Sequence, residues 1–162
     1  RQVLMRIIFF ISLMLCPVTA VVSGVGKGQF LARDHLIIDL RSGVEWMRCS
    51  VGQVFQNDDC TGEAIKLTQK EVRQAIEIAN DELGGIWRLP TLEELEFLVC
   101  KGCPPPKIDK VVFPKTLSEP YWTSEKNWVS PKNIWSVNFM TGFSYGRFFP
   151  YQSLAVRLVR ER

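Results

Sequence analysis

Between residues 68 and 99 the apolar side chains recur at helical spacing and predict two helices in succession. Val72, Ala75, Ile76, Ala79 and Leu83 fall on one face of a helix from about Thr68 to Leu83. Thr68 with Glu71 three residues on is a capping box at its start, and Gly84-Gly85 ends it. Pro90 stops what precedes the second helix, and Thr91 with Glu94 supplies a second capping box. That helix runs from about Thr91 to Val99 and carries the stripe Leu92, Leu95, Leu98 and Val99. Both stripes read as core packing.

The flanking segments carry strand patterns. Leu36 to Leu40 is a strand, Arg41-Ser42-Gly43 its turn, and Val44 to Met47 the return strand. Ser50 to Gly62 is polar, carries Asn57-Asp58-Asp59, and reads as a loop. Pro104, Pro105 and Pro106 exclude helix and open an irregular region, 104–133, interrupted by short strands around Val111-Val112-Phe113 and Tyr121-Trp122. From Ile134 to Met140, apolar Trp135, Val137 and Phe139 alternate with polar Ser136 and Asn138. Thr141-Gly142 turns this strand into a partner at Phe143 to Phe149. Leu154 to Arg160 is the last strand, with Leu154, Val156 and Leu158 on one side. Strands, two helices, a long loop region and further strands predict an α+β fold with a small, mostly antiparallel sheet. A long loop region in a compact domain is a place to look for function.

The amino terminus changes the picture of where the protein works. Arg1 and Arg6 precede an apolar run from Ile7 to Cys16, and Pro17-Val18-Thr19-Ala20 offers small residues for cleavage. Residues 1–20 are expected to be a signal peptide, with Met5 a candidate initiator. The run is too short to span a bilayer, so no stable membrane span is expected after its removal. Leu15 is the wrong residue to precede a lipidated Cys16. Residues 21–33, rich in glycine and small residues, read as a flexible lead-in to a domain at 34–162. Removing 1–20 takes two of the 20 basic residues and none of the 17 acidic ones, so 18 − 17 leaves a charge of +1. No basic run interleaved with aromatics remains, which argues against nucleic acid as a partner.

Four of the five cysteines lie beyond residue 20: Cys49, Cys60, Cys100 and Cys103. In an exported chain an even number reads as disulfides, and sequence-local pairing, Cys49–Cys60 and Cys100–Cys103, is expected. Cys100-x-x-Cys103 also has zinc-ligand spacing, but a second close pair is missing.

Several segments line up in order: Ser42 to Cys49, Trp87-Arg88-Leu89-Pro90-Thr91 with Glu94-Leu95, Phe113-Pro114, Tyr121 to Ser124, Trp135 to Phe139, Gly142, and Val156 to Arg160. The series resembles the Lcl C-terminal domain family, named for a collagen-like bacterial adhesin, over about residues 36–160. The resemblance implies a C-type lectin-like fold, related to that of the formylglycine-generating enzyme: two helices, a small sheet joining the chain ends, and a loop region that presents ligand contacts. It also implies a bacterial, exported protein. The chain departs from the adhesin in having no Gly-X-Y stalk.

The residues do not assemble a catalytic set. Calcium-dependent sugar binding needs clustered carboxylate and amide oxygens; Asn57-Asp58-Asp59 reads as a solvated loop, and Ser118-Glu119-Pro120 only echoes the lectin signature. The late cysteine pair of the formylglycine-generating enzymes has no counterpart after Cys103. Cys100-Lys-Gly-Cys103 follows a helix C-terminus, where the dipole disfavours a thiolate, so it reads as a staple rather than a redox centre. His35, the single histidine, has no nucleophile nearby in sequence. Gly24, Gly26 and Gly28 precede no helix and cradle no phosphate. No catalytic residue, metal or cofactor is assigned.

Aromatic residues crowd the last third. Trp122 and Trp135 read as core. Trp128, in a polar loop from Glu125 to Asn133, is the candidate ligand contact, with Tyr145, Arg147 and Tyr151 beside it. The expectation is an exported, non-enzymatic binding module, periplasmic or at the cell surface, whose partner is a glycan or an envelope protein. An envelope enzyme on a related fold and a structural subunit of a surface assembly are the alternatives.

Overall fold

A computed structural model describes residues 28–162. The expected signal at 1–20, most of the expected lead-in, Cys16, Gly24 and Gly26 lie outside the described residues. The last part of that lead-in belongs to the fold, which corrects the expectation: β1 (Phe30–Arg33) pairs antiparallel with β2 (Leu36–Asp39). Gln29 Nε2 donates to Asp39, and the Phe30 ring meets Phe113 edge-on at 5.6 Å.

The architecture is α+β, with two helices and mostly antiparallel sheets. The strands are β3 (Val44–Met47), β4 (Val54–Gln56), β5 (Asp59–Thr61), β6 (Lys66–Leu67), β7 (Trp87–Arg88), β8 (Pro120–Lys126), β9 (Ile134–Asn138), β10 (Phe143–Phe148), β11 (Leu154–Ala155) and β12 (Val159–Glu161). The helices are α1 (Gln69–Leu83) and α2 (Leu92–Phe97). One sheet runs β1-β2-β3-β12-β7 and joins the two ends of the described chain. The second runs β10-β9-β8-β11-β6, with one parallel pairing, β8 to β11. β4 and β5 form a separate hairpin.

Both helices start where their capping boxes predict. The Thr68 and Thr91 hydroxyls accept from the N–H groups of Glu71 and Glu94, whose carboxylates accept from the cap N–H in return. α1 ends at Gly84, whose φ of 67 favours glycine. The segment from Trp87 to Glu94 is structural throughout. Trp87 is buried and donates its indole N–H to Gly84 O at 3.0 Å. Arg88 grips Glu94 with two 2.8 Å bonds and also reaches Glu161. Pro90 O accepts from Ser124 N, which joins the start of α2 to β8.

Four expectations about strands and loops are corrected. The polar stretch Ser50 to Gly62, read as a loop, contains the β4–β5 hairpin. Asn57 and Asp58 have φ of 50 and 61, the two left-handed residues of a tight hairpin turn. Val111 to Phe113 form a turn rather than a strand, because the Asp109 carboxylate takes the N–H groups of Val111 and Val112. β8 runs on to Lys126, so the irregular region is two pieces, about 101–119 and 127–133. The last strand is broken between β11 and β12.

The alternation along residues 154–159 is nonetheless that of a strand, and both faces are covered. Leu154, Val156 and Leu158 join one apolar cluster with Trp87, Trp122 and Val72. Ala155 and Val159 join another with Trp46, Phe113 and Tyr121. Ser136, polar in the period-two pattern, is buried for the same reason and donates to Tyr145 O.

Arg157 lies between Val156 and Leu158 and is fully buried. No carboxylate among the described residues pairs with it. Its guanidinium donates to the carbonyls of Met47 and Arg48 and to the hydroxyls of Ser50 and Thr116, and it lies 4.8 Å over the Phe113 ring. Burial pushes its pKa down to about 10, so the ion remains protonated at neutral pH.

Two outcomes check this description. Arg157→Ala leaves buried carbonyls and hydroxyls without donors and is expected to cost at least about 3 kcal/mol in urea unfolding; Arg157→Lys recovers less than half of the loss. Glu94 has its pKa lowered: partial burial pushes it up, but the Arg88 bonds and the Thr91 N–H outweigh that. Its contribution is complete above the ordinary carboxylate range and is lost as pH falls through the lowered folded value. Glu94→Gln is therefore expected to cost about 1 kcal/mol at neutral pH, a deficit that shrinks as a pH series is taken below about 4.

Candidate functional site

The Trp128 loop is an ordered platform. Asn127 N donates to Asn133 O, and Asn133 N to Ser130 O, at 2.8 Å each. The Asn127 side-chain oxygen accepts from Val129 N and Ser130 N, a local turn that asparagine favours. Its amide donates to Gly146 O at 2.7 Å, and the Asn133 amide donates to Arg147 O at 2.8 Å. Ser130 Oγ closes the ring on Asn133. These bonds use both asparagine side chains to seal the loop onto β10. They leave Trp128 84% and Val129 70% exposed.

β10 completes this surface. Arg147 lies 4.7 Å over the half-buried Tyr145 ring and 5.7 Å over Phe148. Tyr145 donates its hydroxyl to Thr141. Gly146 between them has no room for a side chain: a methyl there would come within 3.0 Å of the Trp135 ring and 2.6 Å of the Asn127 amide. Trp135 is thus half-buried beneath the platform, whereas Trp122 is fully buried and donates to Leu67 O. The loop is tied to the backbone of β10 at Gly146 and Arg147, next to Tyr145 in the chain. Tyr151 belongs to a separate stack on Phe149, 5.4 Å apart and nearly parallel, in a turn whose Pro150 carbonyl accepts from Gln69 at the start of α1.

The four cysteines pair as expected. Cys49–Cys60 and Cys100–Cys103 are disulfides with Cα separations of 5.6 and 5.3 Å. The second follows the end of α2 and closes a short loop pinned by Lys107, which donates to the carbonyls of Lys101 and Cys103. The first ties the β4–β5 hairpin to the chain leaving β3, and Arg48 covers that hairpin's Phe55 ring at 4.4 Å.

Sequence reasoning missed a cavity. About 560 Å³ opens between α1 and the β4–β5 hairpin, with mostly apolar walls. Its signals were Ile78, off the predicted stripe of α1, and Ile65, an apolar residue without a role. Leu83, predicted for the buried stripe, instead lines this cavity and is 47% exposed. His35 lines the cavity, with Nδ1 3.2 Å from the exposed Asp34 carboxylate. Ser50 also lines the cavity, but its hydroxyl is tied to Tyr121 and Arg157 rather than to His35. Asp58 is a turn residue, and Asp59 accepts from Cys60 N and faces Lys115. Among the described residues no group of three or more His, Cys, Asp or Glu side chains is placed to hold a metal ion.

The Lcl C-terminal domain family model matches residues 35–160, and the chain belongs to that family. No curated protein and no solved structure matches the chain.

Since the Cys49–Cys60 bond is the covalent tie of the hairpin, replacing both cysteines with serine is expected to act locally. Amide exchange should accelerate about tenfold or more across residues 50–62, while the two five-stranded sheets keep their protection.

Proposed function

For this member of the Lcl C-terminal domain family, we propose an exported, non-enzymatic binding module on a C-type lectin-like fold. Its contact face is the Trp128 loop with Tyr145 and Arg147 on β10, and its ligand is a glycan or a protein of the bacterial envelope. The observation that carries this reading is the braced loop. Six hydrogen-bonding groups from Asn127, Ser130 and Asn133 are spent on holding an indole in water, where nothing in the fold rewards it. A flat side chain fixed before binding loses little entropy when it stacks on a sugar or fills a pocket of a partner. Arg147 adds a planar cation already aligned on the Tyr145 ring. The two disulfides are compatible with an oxidising location, and no helix among the described residues is long and apolar enough to cross a membrane. Tyr151, placed in its own stack, is a lesser contributor.

The test is a glycan array together with an envelope pull-down, each run with wild type and Trp128→Ala. An enriched ligand that Trp128→Ala loses at least tenfold is the expected result; Tyr151→Ala should cost less than threefold. Enrichment of no ligand in either assay, or binding indifferent to Trp128, overturns the assignment.

A further inference from the structure

The lining of the cavity beside α1 combines apolar side chains with two carboxylates. Val54, Ile65, Ile78 and Leu83 all line it, and each is 45–57% exposed, so four large apolar side chains converge on solvent. Ala75 and Ala79 lie where larger residues would fill the space, and they give it depth along the helix. A volume of about 560 Å³ is within the range of small-ligand sites, which are apolar with a few polar groups to fix orientation. Here the charged lining residues are Asp34 and Glu82; no lysine or arginine lines the cavity. Arg48, over the Phe55 ring of one wall, has its guanidinium spent on the carbonyls of Asp34, Val111 and Val112.

We propose that this cavity binds a small amphiphilic cation, an aliphatic chain ending in an ammonium group. The chain covers the four exposed apolar side chains, and the head group lies between Asp34 and Glu82. A carboxylate on the same chain would be set against two negative charges and is disfavoured; an alcohol gains the apolar contacts alone. The site is separate from the Trp128 face, and the proposal stands or falls independently of it.

Calorimetric titration of the purified protein with hexyl-, octyl- and decylammonium, octanol and octanoate tests this. The expected result is saturable one-to-one binding that tightens up to about fourfold per methylene, with octanoate at least about tenfold weaker than octylammonium. Glu82 is exposed in the last turn of α1, so Glu82→Gln should leave the fold intact. It should weaken octylammonium about threefold or more without changing octanol. Ile78→Ser should weaken every member of the series, and Trp128→Ala none. Absence of saturable binding, equal affinity for octanoate and octylammonium, or indifference to both cavity substitutions in variants with wild-type thermal midpoints overturns the proposal.

Discussion

A fully buried guanidinium with no counter-ion among the described residues organises this fold. An arginine in an apolar interior is stabilised by acceptors for its N–H groups. The two terminal nitrogens of Arg157 find them on two remote segments, the backbone leaving β3 at Met47 and Arg48 with the Ser50 hydroxyl, and Thr116 in the irregular region before β8, while its Nε–H has no partner among the described residues. Those segments therefore cannot drift from β11 and β12 without stranding a charge. The consequences spread outward. Cys49 is fixed between Arg48 and Ser50, so its disulfide places the β4–β5 hairpin, and the hairpin forms one wall of the cavity. On the other side Thr116, Phe113 and Tyr121 hold a stretch with almost no regular structure. That stretch is ordered by side-chain bonds, from Arg157 to Thr116, from Arg48 to the Val111 and Val112 carbonyls and from Leu117 N to the Tyr121 hydroxyl, rather than by a ladder.

Much of the scaffold was legible because its signals are local. Capping boxes, a terminal glycine and a 3.6-residue stripe specify α1 and α2 within a few neighbouring residues, and the two short-range disulfides follow from cysteine spacing and the inferred export. What was not legible depends on contacts distant in sequence. Ser136 is polar in an alternating strand yet buried, because a second layer covers both faces. Val111 to Phe113 has strand composition, but the Asp109 carboxylate captures its N–H groups first. The hairpin at Asn57-Asp58 was hidden by its polarity, although two residues tolerant of left-handed backbone were the sign of it.

The same division applies to function. The segment that most clearly marks the family, Trp87 to Glu94, is spent on construction: an indole on a helix end, an arginine on a capping glutamate, a proline carbonyl on β8. Recognising the family therefore locates the frame and says little of the ligand. Exposure of Trp128 could be read from its polar surroundings, but its bracing by Asn127 and Asn133 required the register of β10. The cavity required the hairpin, which the sequence concealed.

Residues 154–159 feed two interiors by parity, even positions to one apolar cluster and odd positions to the other, with Arg157 among the odd. This segment has no spare register. Inserting or deleting a single residue there would exchange the occupants of the two interiors at once and push a guanidinium among Trp87, Trp122 and Val72. Variation in length must consequently be confined to the connections on either side of it. Residues 154–159 can exchange one apolar side chain for another, but not change their count.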